Sequence, residues 1–249
     1  MVVQKRKVII VGGGYTGLSA AYDFAKADWD VTIFEGDQYP GGLAGTFEVA
    51  PGYRVEKFYH HWFASDNHIL DLLRELGCGD KIKFLCTNTG LYYANSIFRL
   101  ASPLDLLRFN PIPLIDRVRT GLMALIARRI ENWKPLEDIL AKDWIIKYGG
   151  KRAFDVIWQP LLHGKFGPEA DNISAVWFWN KLKLRGSSRD KKGGETLAYF
   201  SGSFGAATKA LVEKLTELGV KVVCNSLVDK VLVKDGAARG IRVNGKEEL

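Results

Sequence analysis

With 249 residues, 47% of them hydrophobic, and a formal net charge of +7, the chain can bury about 70–75% of its unfolded surface in one large α/β domain or two intertwined ones. Its three cysteines, Cys78, Cys86 and Cys224, make neither an even disulfide framework nor a C-x-x-C pair, which argues against a dithiol flavoprotein reductase and fits a reducing cytoplasm. No apolar run approaches the ~18 residues of a membrane span, and Met1 leads through Lys5-Arg6-Lys7 directly into a short apolar stretch unlike a cleaved leader.

Val8 to Val11 is an unbroken β-branched run and predicts a strand buried on both faces. It runs into Gly12-Gly13-Gly14-Tyr15-Thr16-Gly17, where Gly12, Gly14 and Gly17 fill a G-x-G-x-x-G pattern. The first glycine permits a tight turn, the second lets backbone approach a pyrophosphate, and the third lets the following helix pack close to the strand. That helix carries Leu18, Ala21, Phe24 and Ala25 on one face, so its N-terminal N–H groups and dipole point toward the phosphates. A second strand, Val31 to Phe34, ends at Glu35, a carboxylate placed to accept ribose hydroxyls and to repel a 2′-phosphate. Strand, glycines, helix, strand and terminal acid together predict a dinucleotide site of the NAD or FAD kind, and disfavour NADP.

A second glycine-rich turn follows at once, in "QYPGGLAGTFE", with Gly41, Gly42, Gly45 and Thr46. In a simple NAD dehydrogenase the strand–helix alternation would continue here. A further backbone approach instead suits a longer or differently draped cofactor. Over its first sixty residues or so the chain resembles the flavin amine oxidase superfamily, whose members include amine oxidases, protoporphyrinogen oxidase, carotenoid and squalene-type desaturases and UDP-galactopyranose mutase. The family's glycine doublet is usually followed by arginine; here Leu43 stands at that position, and Thr46 comes four residues after Gly42 rather than three. The resemblance implies FAD as cofactor, with Tyr15, Thr16, Leu43, Gly45 and Thr46 beside it as well as the glycines.

Asn67 to Leu76 predicts a short helix stopped by Gly77, and "GLYYANSIFRL" a hairpin about Ala94-Asn95-Ser96. Ser102-Pro103 starts a mostly helical stretch that reaches about Arg185, punctuated by Pro111, Pro113, Pro135 and Pro160. Phe204 to Leu218 predicts a further amphipathic helix stopped by Gly219. Three strand-like runs follow, Lys221 to Asn225, Val228 to Lys234 and Ala238 to Val243, with tight-turn signals at Asp235-Gly236 and Asn244-Gly245. The resemblance implies an FAD/NAD(P)-binding Rossmann-like α/β fold with an inserted helical substrate domain: residues 1–65 binding FAD, 66–198 the insert, and 199–249 a return to the FAD domain. It also puts the backbone of Val228 against the adenine, and implies a longer parent protein of which this is the amino-terminal part.

For flavin chemistry the protein supplies mainly orientation and electrostatics. "VEKFYHHWF" is the segment expected to return past the flavin ring, making Lys57, His60 and His61 the candidate catalytic residues. Adjacent histidines in a strand point to opposite faces, so one at most faces the ring, and either can serve as a structural hydrogen-bond donor instead. No His or Cys has metal-ligand spacing. Between Leu114 and Ile130, Val118, Leu122, Leu125 and Ile126 alternate with Arg117, Arg119, Arg128 and Arg129. Such a helix can lie on the inner face of a membrane or simply turn its charges to water. The stretch "KLKLRGSSRDKKGGE" can close over an anionic substrate or be a solvated loop, while Trp177 and Trp179 suit a core or an apolar substrate pocket. The basic residues lack interleaved exposed aromatics, so a small molecule rather than nucleic acid is the expected partner. The expected activity is transfer of a hydride from a C–N or C–C bond to FAD, with a flavin-dependent isomerase or a non-catalytic dinucleotide-binding fragment as the alternatives.

Overall fold

The computed structural model describes residues 5–187 and 195–248. In chain order, β1 (Lys7–Val11), α1 (Tyr15–Lys26) and β2 (Asp30–Phe34) are followed by a hairpin of β3 (Thr46–Ala50) and β4 (Tyr53–Glu56). Next come β5 (Trp62–Phe63), α2 (Asn67–Glu75), β6 (Ile82–Thr87), β7 (Gly90–Tyr93) and β8 (Ser96–Arg99). The helical stretch holds α3 (Pro103–Arg108), α4 (Leu114–Arg129), α5 (Ala141–Gly149), α6 (Lys151–Ala153), a π-helical turn (Phe154–Trp158), α7 (Gln159–Phe166) and α8 (Ala175–Ser187). Then follow β9 (Glu195–Phe200), α9 (Ser203–Glu217), β10 (Lys221–Val223), β11 (Val228–Lys234), β12 (Ala237–Val243) and β13 (Lys246–Glu248). Two compact units result, one of Met1–His61, Asn67–Lys83 and Tyr199–Leu249, the other of Trp62–Asp66 and Phe84–Ala198. Residues 67–83 thus group with the first unit, on the other side of the expected boundary at residue 66.

In the first unit β1, β2 and β10 form a parallel sheet in the order β1-β2-β10, with Val8 opposite Val31 and Val222 opposite Ile33. Central β2 buries Val31 and Ile33 completely, whereas Val11 on β1 is exposed. The expectation that Val8 to Val11 is buried on both faces therefore fails: β1 is the edge strand of this sheet, with Val8, Ile9 and Ile10 only half-buried and Val11 exposed. Leu18, Ala21 and Tyr22 of α1 meet Leu211 and Leu215 of α9 over β2, and each fully buried leucine contributes roughly 1.5–3 kcal/mol. β10 leaves the expected three-run meander to extend this sheet. A helical crossover such as α9 returns the chain parallel rather than antiparallel. The meander is instead β11-β12-β13. Its turns carry positive φ at Asp235 and Gly236, and at Asn244 and Gly245, the geometry that two-residue hairpins require.

The second unit contains the β7–β8 hairpin, whose turn residues Ala94 and Asn95 also take positive φ. α3 starts on a capping box: the Ser102 hydroxyl accepts from Asp105 N–H at 3.2 Å, and the Asp105 carboxylate accepts from Ser102 N–H at 2.9 Å. Met123 and Ala127 of α4, Trp144 and Ile145 of α5, and Phe178 and Trp179 of α8 form its larger core. Trp179 is a core residue, its indole N–H donating to Ala127 O at 2.8 Å. Among the described residues no helix is long and apolar enough to cross a membrane.

α5 ends at Gly150, with φ +97°, where an added Cβ would lie 2.2 Å from Asp116 Oδ1. Gly150→Ala therefore combines backbone strain with a collision against a buried carboxylate. A loss of about 1–3 kcal/mol in urea unfolding is expected; an unchanged midpoint would contradict this packing.

Candidate dinucleotide site

The chain leaves β1 through Gly12, whose φ of +95° favours glycine and whose N–H donates to Phe34 O at 2.8 Å. α1 then passes so close that a Cβ on Gly17 would sit 2.0 Å from Gly12 O. No side chain caps the α1 N-terminus, where Gly14 is the N-cap, and its first turn holds no acid. The first-turn N–H groups lack intrahelical acceptors, and with the dipole they favour an anion. Thr16 is exposed on that turn.

Gly13 N–H donates to Glu35 Oε2 at 2.6 Å, and Asp37 N–H to Glu35 Oε1 at 2.8 Å. A carboxylate has about four acceptor positions, so this one is fixed in place with capacity to spare. Gly13 O accepts from Gly41 N–H at 2.8 Å, and Gly14 forms a parallel bridge with Gly41. A Cβ on Gly42 would come within 3.2 Å of Gly14 Cα. The two glycine turns thus form one side-chain-free surface beside the helix N-terminus. That cradle, which ordinary residues would fill, is open enough to fit a pyrophosphate.

The other expected site residues sort differently. Leu43 is exposed on a 3-10 turn, Gly42–Ala44, and Gly45 N–H closes that turn onto Gly42 O. Thr46 Oγ1 accepts from Arg54 Nε at 3.1 Å and presses on α9, where a Cβ on Gly205 would lie 2.4 Å from it. Val228 begins β11 just after Ser226, whose N–H donates to Glu35 O at 2.8 Å. Lys57 is exposed, its N–H donating to Gly45 O at 2.9 Å. His60 and His61 lie outside any strand, so the expected strand alternation does not apply to them. Aromatic packing orients them instead: His60 lies 5.6 Å from the Phe204 ring and His61 stacks on Tyr59, while His60 Nδ1 is 2.6 Å from Phe58 O. Of the basic stretch, Lys181 lies over Trp177 and Lys183 over Trp179; Arg189, Asp190, Lys191 and Lys192 lie outside the described residues. Trp177 lines an open cavity of about 520 Å³ with Glu137, Ser174, Val176 and Asn180.

Sequence reasoning missed Glu56. Its carboxylate accepts from Tyr199 OH at 2.9 Å and from Phe204 N–H at 2.8 Å, at the start of α9. Tyr15 OH donates to Phe204 O at 3.3 Å, so the first turn of α1 is tied to the same helix start. These partners stand 143 to 189 residues apart, and no local pattern announces them. Burial pushes the Tyr15 phenol up to about 12, a hydrogen bond from Thr208 opposing and the charge of Glu56 adding. Burial, followed by its bond to Glu56, likewise holds Tyr199 at about 12.

The sequence model described as flavin containing amine oxidoreductase matches residues 15–248, and the chain belongs to that family. The family is flavin-containing, in keeping with the FAD expected at the cradle. The chain is 24% identical over 193 residues to a zeta-carotene desaturase of Zea mays, covering 69% of this chain and 34% of that protein. It is 22% identical over 196 residues to a mitochondrial protoporphyrinogen oxidase of Nicotiana tabacum, covering 73% and 38%. The chain thus spans little more than a third of the length of these relatives. An oxidoreductase from Methanosarcina mazei shares the fold, with a TM-score of 0.71 at 16% identity over 97% of this chain and 56% of that one.

Both tyrosines ionise near 12 when folded, against an ordinary 10.0. Unfolded phenols lose their protons first, so the stability held here is complete below pH 10 and is lost as the pH rises toward 12. Urea midpoints measured across that window should fall, and Tyr15→Phe should flatten the fall. An unaltered slope in the variant would contradict the buried phenol.

Proposed function

We propose that this chain holds the ADP portion of FAD in an FAD-dependent oxidoreductase that removes hydride from a C–N or C–C bond of a small, largely apolar molecule. The observation that carries the reading is the junction of the two glycine turns, closed by Gly13, Glu35 and Gly41. Gly12, Gly14 and Gly17 would line the pyrophosphate with the N–H groups of Tyr15 and Thr16. The remaining acceptor positions of Glu35 would take ribose hydroxyls, and a 2′-phosphate would meet its charge. Gly41, Gly42, Leu43, Gly45 and Thr46 would form the second wall, with the Val228 backbone toward the adenine. When bound, the flavin accepts the hydride.

Lys57, His60 and His61 are the chain's own candidates for orienting substrate. They follow directly on β4, whose last residue, Glu56, is anchored to α9, so their backbone is carried on a fixed support. The helical stretch within 66–198 is proposed as the substrate domain, without residues 67–83, which group with the first unit. Names of relatives, zeta-carotene desaturase and protoporphyrinogen oxidase, favour a largely apolar, electron-rich substrate.

Anaerobic mixing of the full-length, FAD-loaded gene product with a polyene, a porphyrinogen and a primary amine tests this. One class is expected to bleach the oxidised flavin spectrum stoichiometrically. Failure of all three to reduce a flavin that dithionite does reduce would contradict the hydride-transfer reading.

A further inference from the structure

The two glycine turns gather backbone at one place but bring no basic side chain to it: neither Gly12 to Gly17 nor Gly41 to Thr46 contains lysine, arginine or histidine. The end of β2 adds the carboxylates of Glu35 and Asp37. A dinucleotide carries a negative charge on each phosphate of its pyrophosphate, and the α1 dipole offers the equivalent of about half a positive charge. A ligand of that charge calls for a cation from outside the turns.

Lys57 stands where such a cation is needed. In the β3–β4 hairpin Thr46 faces Glu56, and the next rung sets Gly45 opposite Lys57, whose N–H donates to Gly45 O at 2.9 Å. Residues directly opposite in an antiparallel pair put their side chains on one face, and Gly45 has none to put there. The lysine stem lies beside that place. A Cβ on Gly45 would be 3.8 Å from Lys57 Cδ and 3.9 Å from its Cε, as well as 3.0 Å from Gly42 O. Gly45 in turn backs on Gly41, where a Cβ would come 3.4 Å from Gly45 Cα, and Gly41 is bridged to Gly14, the N-cap of α1. From the lysine stem to the helix N-terminus the chain of contacts runs through glycines alone.

The charge of Lys57 is not engaged elsewhere. Among the described residues no carboxylate or carbonyl holds its ammonium. The neighbouring charges on β4 have their own partners: Glu56 accepts from Tyr199 OH and Phe204 N–H, while Arg54 reaches Thr46 Oγ1 and Glu48. A backbone fixed on a hairpin rung and a stem laid along a neighbour reduce the ordering that an anion would have to impose.

We propose that Lys57 binds the pyrophosphate of the dinucleotide, its ammonium reaching a phosphate oxygen past Gly45. The inference rests on the dinucleotide reading and moves Lys57 from the substrate's side of the site to the cofactor's. The test is calorimetric titration of the full-length gene product, freed of flavin, with FAD and with ADP, which keeps the diphosphate and lacks the flavin. Wild type is compared at low and high salt with Lys57→Met, which keeps the stem, and with Lys57→Arg, which keeps the charge. Lys57→Met is expected to weaken both ligands about tenfold and to flatten the salt dependence of ADP affinity, and Lys57→Arg to restore most of the loss. Equal ADP affinity in wild type and Lys57→Met, or a loss confined to FAD, would overturn the proposal and leave the glycine cradle standing. A loss just as large in Lys57→Arg would replace it with a packing role for the stem. Failure of the wild type to bind either ligand would remove the dinucleotide reading and this proposal together.

Discussion

Glu35 is the residue on which the first unit turns. Its N–H donates to Val223 O on β10 and its C=O accepts from Ser226 N–H, while its carboxylate holds Gly13 and Asp37 N–H. Gly13 in turn receives Gly41 N–H. One residue at the end of β2 therefore knits together the first glycine turn, its own following turn and the β10–β11 connection, and through Gly13 the second glycine turn. A carboxylate oriented in advance by two backbone donors spends little conformational entropy when a ligand arrives.

The second support of the site is the start of α9. Glu56 caps it through Phe204 N–H, Tyr15 reaches Phe204 O from the first turn of α1, and Thr46 lies against Gly205. The hairpin β3–β4, the glycine turns and α9 are thereby locked to one another by polar contacts among groups largely removed from water. A low local dielectric strengthens such contacts and makes each partner costly to remove. The raised ionisation of Tyr15 and Tyr199 is a consequence of the same burial.

What could be read from the sequence was local in its physics. The glycine fingerprint, the Ser102-Pro103 helix start and the Asp-Gly and Asn-Gly turns each depend on residues within a few positions, and all stand where expected. Glu56 escaped notice because its partners lie more than a hundred residues away. β10 pairs parallel with β2 and not with the meander, and a short apolar run does not say whether its neighbour is parallel or antiparallel. α4 shows a third limit. Helical periodicity separates two faces, but which one turns inward is decided by the close approach of α5, a tertiary constraint.

The family match covers residues 15–248, while the junction at Glu35 is what gives the dinucleotide reading a physical mechanism. The most direct test is an FAD titration of the purified protein beside Glu35→Gln, an isosteric change that keeps size but loses charge and one acceptor. A charged hydrogen bond contributes roughly 1.5–3 kcal/mol, so the account expects saturable FAD binding weakened about ten- to a hundredfold in a variant that remains folded. Equal affinity in the two proteins would contradict the assignment of Glu35 and the cradle built on it.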